Sequence, residues 1–362
     1  MKLTAEGCRA RQKKLVEVLA QEKLEGAIIS RREHVYYFTG FLHGRFNGAA
    51  VYIGADGRSA LVGAGVPEGV AADQVIQYEG GYHATMHSRQ FEMVAEKLAP
   101  VLPKGKRLGA DLGGGIACAA ALGGAEVADL TRQVCRLRKR KHPDEVDAIR
   151  AAIRIAEVMY AAAKAAIHPG ADEVEVLAHL RSEATVAAGE DLEHFGNDFR
   201  ANAPGGAARR RRMEKGELYI LDAGPSLHGY FADNCRTFAV DRAPSAAQLK
   251  SWEHIDRLFP QLEAAIKPGL KSADLFRQAD LYFKGVGYQG MIHHLGHGLG
   301  MCPHETPELN PHYDAIFEVG DVFTMEPGVY TEELKAGIRL EENYLLTERG
   351  VEKLTTFPRT LV

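Results

Sequence analysis

Gly216-Glu-Leu-Tyr-Ile-Leu-Asp-Ala-Gly224 is the stretch that decides the fold, because it recurs later in the chain as Gly320-Asp-Val-Phe-Thr-Met-Glu-Pro-Gly328. Each copy starts at a glycine–acid turn, continues as an apolar strand and ends on a carboxylate followed by a small residue and a glycine. The carboxylates are Asp222 in the first copy and Glu326 in the second. The same chemistry at the end of both strands indicates an internal duplication.

The helical segments before these strands are duplicated as well. Ala165-Ala-Ile-His-Pro-Gly170 recurs as Ala264-Ala-Ile-Lys-Pro-Gly269, and each segment ends a helical pattern at Pro-Gly. Helix-type sequence restarts at Asp172 and at Ser272. Two copies of a helix–helix–strand unit predict one α+β domain with internal pseudo-twofold symmetry, because two repeats are too few for a solenoid.

Each copy carries a second acid on a second strand, Asp233 in the first copy and Glu341 in the second. A buried carboxylate without a partner is costly, and four acids brought together by a pseudo-twofold raise one another's pKa. Four surface acids at strand ends are the alternative interpretation. Their matching positions in a repeated unit favour a shared cation, and a pair of divalent metal ions neutralises four carboxylates best.

A histidine-rich segment between the two copies supplies the nitrogen ligand. Gly296, Gly298 and Gly300 alternate with His297 and Leu299, and this pattern predicts a close backbone approach that turns His297 toward a crowded centre. One imidazole and four carboxylates form a mostly oxygen shell. Such a shell favours Mn²⁺ first, with Co²⁺, Fe²⁺ or Zn²⁺ as alternatives.

The composition is that of an ordinary globular protein, with 46% hydrophobic and 25% charged residues and a net charge of −4. We therefore expect no nucleic-acid partner, and the lack of a long apolar run predicts no membrane span. The N-terminal residues show no apolar core of a signal peptide, so a cytoplasmic location is expected. The five cysteines lack C-x-x-C spacing and are predicted to be free thiols in a reducing compartment. They are Cys8, Cys118, Cys135, Cys235 and Cys302.

The first part of the chain alternates helical and strand-like segments and predicts an α/β domain. A helix is expected over residues 9–23, with strands over 26–29, 49–53 and 59–62. The basic stretch of residues 136–145 follows, and Pro143 disfavours helix at His142 while Asp144 and Glu145 suit a first helical turn. The boundary is placed here, which gives domains 1–138 and 139–362. The positive charges are interpreted as a solvated linker, because no aromatic residues interleave with them.

With these residues in place, the chain resembles the pita-bread metallopeptidase superfamily, and within it the creatinase, prolidase and aminopeptidase P branch. The resemblance implies a creatinase-like N-terminal domain of α/β type and an α+β pita-bread catalytic domain. The motifs that carry it are Tyr36–Phe41, Asp222–Gly224, Gly229–Phe238, His293–Gly300, His304–Pro307, Glu326–Gly328 and Gly337–Glu341.

The resemblance also implies roles for individual residues. Asp222 and Asp233 would hold one metal ion, and His297 and Glu326 would hold the other. Asp233 and Glu341 would bridge the two ions. A hydroxide between them would be the nucleophile, because two cations lower the pKa of water.

Four residues would act on the substrate or on the shell. Glu326 would take part in transferring the proton of the nucleophile. His304 and His293 would line the substrate side and stabilise the tetrahedral intermediate. Arg339 would orient a ligand carboxylate.

One position departs from the family pattern. The family carries a further substrate-side histidine about seventeen residues before the first aspartate, where this chain has Gly205. The basic run Arg209–Arg212 follows it and is either a solvated loop or a binder of a substrate carboxylate, since guanidinium groups pair with carboxylates bidentately. On this basis, Xaa-Pro peptides are expected to be handled less well than by relatives that carry the histidine. Restoring a histidine at position 205 is the test, and improved turnover would support the peptidase interpretation.

We expect hydrolysis of small peptides at Xaa-Pro bonds by a dinuclear metal centre, in a homodimer. A hydrolase or lyase of a small non-peptide metabolite on the same fold is the alternative, since the histidine is missing. A metal-free binding protein is a third class, disfavoured because all five ligands are present. Because fold does not determine substrate, the substrate assignment rests on the resemblance.

Overall fold

The computed structural model describes residues 2–81, 87–111 and 126–362. Cys118 therefore lies outside the described residues, and within the described ranges no disulfide joins the other four cysteines to one another. No helix within the described ranges is long and apolar enough to cross a bilayer. The chain forms two compact units, which are Met1–Arg138 with His142–Asp144, and Lys139–Lys141 with Glu145–Val362.

The N-terminal unit contains a six-stranded mixed sheet. Its strands are β1 (Gly26–Ile29), β2 (Ala49–Gly54), β3 (Ser59–Gly63), β4 (Gln74–Gln77), β5 (Leu108–Ala110) and β6 (Val127–Asp129). They lie in the order β4-β3-β2-β1-β5-β6. Strands β1, β2 and β3 are antiparallel neighbours, and the outer strands β4, β5 and β6 add in parallel. The three strands predicted from sequence are confirmed, each within one residue of its predicted end.

Four helices accompany this sheet in the described part of the chain: α1 (Ala5–Glu22), α2 (Arg32–Thr39), α3 (His87–Leu98) and α4 (Thr131–Lys139). Helix α1 begins before the predicted residue 9 because the Thr4 hydroxyl accepts the Gly7 amide and caps it. It ends where Lys23 adopts the left-handed conformation. The α/β prediction for the N-terminal domain is confirmed.

The basic stretch around the boundary is only partly a solvated linker. Helix α4 includes Arg138, which is buried with Nη1 3.0 Å from His34 Nε2. Lys141 is buried as well, with Nζ 3.3 Å from a Glu305 carboxylate oxygen. The solvated-linker interpretation is therefore wrong for these two side chains, because each has a specific polar partner that offsets its burial.

The C-terminal unit contains two pairs of helices and twelve described strands. The helices are α5 (Pro143–Ala166), α6 (Glu173–Ala188), α7 (Ala246–Ala265) and α8 (Ser272–Gly285). The strands are β7 (Asp198–Ala201), β8 (Leu218–Ala223), β9 (Ser226–Leu227), β10 (Tyr230–Phe231), β11 (Asn234–Ala239), β12 (Gly296–Gly298), β13 (Glu305–Leu309), β14 (Val322–Met325), β15 (Gly328–Val329), β16 (Ile338–Arg339), β17 (Glu342–Thr347) and β18 (Gly350–Lys353).

The helix boundaries follow the sequence signals. Helix α5 begins at Pro143, as predicted, and α5 and α7 end just before the two Pro-Gly pairs. Helix α6 is capped by Asp172, which accepts two backbone amides. Helix α7 starts with a capping box formed by Ser245 and Gln248.

The predicted duplication is present in the sheets. In the first copy β8 pairs antiparallel with β11, and in the second copy β14 pairs antiparallel with β17. Small hairpins, β9–β10 and β15–β16, follow the first strand of each copy. The complete sheet orders are β11-β8-β7 and β13-β12-β14-β17-β18. This is the α+β arrangement with internal pseudo-symmetry that the repeat predicts.

Arg236 on β11 joins the two copies. It is fully buried, and its guanidinium donates to the backbone oxygens of Glu341, Phe357 and Pro358. Its Nη2 also lies 3.1 Å from Glu342 Oε2, and both side chains are wholly inaccessible. One cation therefore holds the first copy against the start of β17, directly beside Glu341.

Replacing Arg236 tests this connection. Arg236→Met leaves the buried Glu342 carboxylate without its closest cation and several carbonyls without donors, so the free energy of unfolding should fall by about 3–5 kcal/mol. Arg257→Met is the control, because that side chain is 68% exposed and pairs with Glu253 on the helix surface. Its effect should stay within about 0.5 kcal/mol in the same urea titrations. Equal stability of the two variants would contradict the role of Arg236.

Candidate metal centre

The two strand pairs bring the four predicted acids together. Asp222 lies on β8, and Asp233 directly precedes β11. Glu326 directly follows β14, and Glu341 directly precedes β17. All four are buried, with exposed fractions between 1% and 8%. The amide of Glu341 donates to the carbonyl of Cys235, so the acid-bearing ends of the two copies meet.

His297 lies in β12, at the centre of a close backbone approach. A Cβ at Gly296 would lie 2.1 Å from the Thr324 oxygen, and one at Gly298 would lie 2.2 Å from the Thr306 oxygen. Only glycine permits this packing, which explains the alternation seen in the sequence. Nδ1 of His297 lies 3.0 Å from the Gly298 carbonyl, so Nδ1 carries the proton and Nε2 is left as the ligand atom.

The donor atoms fit divalent cations. Nε2 of His297 lies 3.6 Å from Asp233 Oδ2 and 3.6 Å from Glu326 Oε1. Asp233, His297 and Glu341 each offer a ligand atom, and these atoms lie within 4.8 Å of one another. Because metal–ligand bonds are about 2.0–2.2 Å long, two ligands of one ion lie roughly 3–4.4 Å apart. The observed spacing therefore suits shared ions.

Two buried oxygens point to the same conclusion. Asp222 Oδ1 and Glu341 Oε1 have no hydrogen-bond partner within the described ranges. An unsatisfied buried carboxylate oxygen is costly, and a cation at this point would remove the cost.

The electrostatics of the centre are those of crowded acids. Burial, with Asp198 and Glu326 adding to it and Arg339 opposing it, raises the pKa of Asp222 to about 6. Burial, followed by the charges of neighbouring carboxylates, raises the pKa of Asp233 and of Glu341 well above the usual range. These acids hold protons unless more positive charge is supplied, and divalent ions supply it.

Glu326 behaves differently from the other three acids. His294 Nε2 lies 2.7 Å from Glu326 Oε1. Against the opposing effect of burial, this hydrogen bond and the charge of His294 lower the pKa of Glu326 to about 2. The histidines beside Glu326 therefore keep it ionised and able to accept a proton or bind a cation.

Arg339, on β16, contacts a predicted metal ligand. Its Nη2 lies 2.7 Å from Asp222 Oδ2 and also donates to Asp198. Its Nη1 lies 3.3 Å from the hydroxyl of Tyr330, which in turn lies 3.0 Å from His293 Nε2. The structure thus connects Asp222 and His293 through Arg339 and Tyr330.

His304 lies at the exposed side of the centre. Its ring stacks on that of His297, with centroids 3.7 Å apart and an interplanar angle of 14°. One nitrogen of His304 lies within 4.8 Å of nitrogens of His294 and His297. The substrate-side role of His304 stays a prediction.

The place of the missing histidine is structurally occupied. Gly205 has φ +152, and a Cβ there would lie 2.6 Å from Asp198 Oδ2. Asp198 lies on β7, directly across from Asp222 on β8. A histidine at position 205 would therefore have to displace the Asp198 carboxylate, and its effect on turnover stays a prediction.

The basic run has a structural role that neither interpretation anticipated. Arg209 pairs with the buried Glu173 at 2.7 Å, and Arg211 pairs with the largely buried Glu217 at 2.8 Å. Arg212 donates to the carbonyl of Gly170. The solvated-loop interpretation fits Arg210 alone, which is 72% exposed. The substrate-carboxylate interpretation is wrong for Arg209 and Arg211, because both guanidinium groups already bind acids.

Sequence reasoning missed three residues near the centre. His294 is adjacent to His293 in the sequence, and this duplication was its only signal. Asp198 and Tyr330 carried no signal, because only strand register and folding bring them to Arg339.

The family of the chain follows from comparison with known proteins. The sequence pattern of metallopeptidase family M24 matches residues 147–348, and that of the creatinase/prolidase N-terminal domain matches residues 11–139. The chain belongs to metallopeptidase family M24, and the resemblance seen in the sequence is confirmed. It is a metal-dependent hydrolase of peptides, and the family implies divalent metal ions.

Individual relatives agree with this assignment. An uncharacterized peptidase of Bacillus subtilis is 28% identical over 96% of this chain and 98% of its own length. The Xaa-Pro dipeptidase of Pyrococcus furiosus is 32% identical over 62% of this chain and 66% of its own length. The solved structure of prolidase from Pyrococcus furiosus superposes with a TM-score of 0.78 at 25% identity, and it covers 95% of this chain and 100% of its own.

Substitution at Gly205 tests the steric argument. Gly205→His places a side chain at positive φ and against Asp198, so the free energy of unfolding should fall by about 1–3 kcal/mol. Gly269→His is the control, because φ is +90 there but nothing lies within 4 Å of its Cβ. Adding Asp198→Ala to Gly205→His should restore part of the lost stability. A fully stable single variant would show that the loop accommodates the histidine after all.

Proposed function

We propose that this protein hydrolyses Xaa-Pro bonds of small peptides with two divalent metal ions, Mn²⁺ being the first choice. The observation that carries the proposal is the convergence of Asp222, Asp233, His297, Glu326 and Glu341 with unsatisfied oxygens in their midst. The Xaa-Pro assignment draws on the printed activity of the relatives from Pyrococcus furiosus. A small peptide is then the partner of this site.

The residues divide naturally between two ions. Asp222 and Asp233 belong to the first strand pair and would hold one ion. His297 and Glu326 would hold the other, with Asp233 and Glu341 shared. When bound, the ions would lower the pKa of water and polarise the scissile carbonyl.

We assign proton transfer and hydrogen bonding to the substrate to Glu326 and to the histidines next to the metal ligands. Glu326 is kept ionised by His294 and is the proton acceptor. Burial lowers the pKa of His293, so this ring is neutral and can exchange a hydrogen bond with the Tyr330 hydroxyl. His304 lies at the exposed side, where it would contact the substrate carbonyl. Arg339 fixes one oxygen of Asp222 and leaves Oδ1 for the metal.

Further features of the protein remain proposals. We propose domain limits at 1–138 and 139–362, close to the compact units and to the two family matches. The absence of a disulfide among the four described cysteines supports a reducing compartment such as the cytoplasm. A homodimer is proposed from the family resemblance, and sedimentation of the purified protein measures it.

The function is tested on protein purified without chelator. Elemental analysis should find two divalent ions per chain, and Ala-Pro should be cleaved in a reaction that chelation abolishes and Mn²⁺ restores. Ala-Ala is the matched substrate control, and its cleavage should be much slower. Protein that holds both ions but cleaves no Xaa-Pro peptide would refute the substrate and favour a small non-peptide metabolite. Protein without transition metal, and active despite chelation, would refute the metal centre.

Glu326→Gln tests the proton acceptor. The amide keeps the shape of the side chain but cannot accept a proton, so turnover of Ala-Pro should fall by about 10²–10⁴-fold. Circular dichroism and metal content measured on the same sample separate loss of chemistry from loss of fold or of ions. Near-wild-type turnover with both ions bound would remove Glu326 from this role.

A further inference from the structure

A histidine outside the predicted shell lies close enough to join it. His294, His297 and His304 each offer a nitrogen, and these nitrogens lie within 4.8 Å of one another. His297 is already a candidate ligand. The geometry of the three rings distinguishes which of the other two can bind the same ion.

Ring spacing favours His294. The centre of an imidazole ring lies about 3.2 Å from a metal bound through one nitrogen, since the metal–nitrogen bond is about 2.0–2.1 Å. Two such rings at a tetrahedral angle have centres about 5.3 Å apart. The centroids of His294 and His297 are 5.5 Å apart, with an interplanar angle of 78°. This spacing suits two imidazoles on one ion.

His304 does not fit beside His297 in the same way. Their centroids are 3.7 Å apart and the rings are almost parallel. Two rings this close would subtend only about 70° at a shared ion, which is far below the tetrahedral value. His304 therefore packs against the ligand His297 instead of sharing its ion.

Glu326 is the common neighbour of the two remaining histidines. Its Oε1 lies 2.7 Å from His294 Nε2 and 3.6 Å from His297 Nε2. Neighbouring ligands of one ion are typically about 3 Å apart, because each bond is about 2.1 Å. The His294 side chain is 35% exposed, so an ion can reach it.

We propose that His294 is an additional ligand of the metal ion held by His297 and Glu326. The inference rests on the proposed metal centre and adds a second imidazole to one of its two ions. The other ion, between Asp222 and Asp233, keeps a shell of oxygen donors. The two positions then differ in chemistry, and the histidine-rich one prefers Zn²⁺ or Fe²⁺ over Mn²⁺, since imidazole suits these metals better.

The competing explanation is that His294 only donates a hydrogen bond to Glu326. Two variants separate these roles. His294→Ala removes both the nitrogen ligand and the hydrogen bond, whereas His294→Gln keeps an N–H donor at a similar reach but removes the imidazole. His168→Ala is the control for an exposed histidine, since it lies in the turn after α5, away from the acids in sequence.

The experiment uses the full chain loaded with Zn²⁺. X-ray absorption counts the imidazoles bound to metal, and competition with a chelating dye gives the affinity of each ion. We expect both variants to lose one imidazole and to bind one of the two ions at least about 100-fold more weakly, since even an outer-shell partner is worth 10–100-fold. Both variants should bind the other ion with an affinity within about threefold of wild type. The His168→Ala control should bind both ions within the same range.

Other outcomes overturn the inference in distinguishable ways. An unchanged imidazole count, with wild-type affinity in His294→Gln, would make His294 a hydrogen-bond partner of Glu326 and leave the proposed function standing. A wild-type protein that binds no ion would refute the inference together with the metal centre. Failure to cleave Xaa-Pro peptides changes neither readout, because both report on metal binding alone.

Discussion

The burial of four carboxylates at one point is the constraint on which the catalytic unit depends. Burial and mutual repulsion raise the pKa of three of them, whereas the histidines beside Glu326 lower its pKa. A protein interior tolerates such a cluster only if positive charge accompanies it. Arg339 supplies part of that charge, and two divalent ions would supply the remainder.

The strand pairs bring these acids together from distant parts of the chain. Arg236 and the backbone contact between Glu341 and Cys235 hold the copies in register at the centre. The core of the second copy supports this arrangement, because the fully buried Phe323 ring stacks on Tyr344 and meets Phe317 edge to face. Rigid strands under a packed core position ligands better than loops do, because their rotamers are fixed by their neighbours.

The duplication is approximate, and the differences between copies carry the chemistry. In the first copy Asp222 faces Cys235, and Asp233 precedes that residue by two. In the second copy Met325 pairs with Glu342, so Glu326 directly follows one strand and Glu341 directly precedes the other. Strand β12, which carries His297, pairs with β14 of the second copy. The two ions would therefore meet different surroundings although the strands that present them are related.

The sequence by itself predicted most of the fold and the five candidate metal-binding residues that the structure brings together. The repeat predicted the symmetry, and Pro143 and the Pro-Gly pairs predicted the helix limits. The alternation of glycines pointed to His297. Each is a local signal with a direct effect on backbone conformation. The sequence alone does not show that Asp198 fills the space beside Gly205, or that Arg209 binds Glu173 and Arg211 binds Glu217. It also could not place His294 against Glu326. Which charges meet in these contacts depends on strand register and side-chain packing, and neither can be inferred from the local sequence pattern.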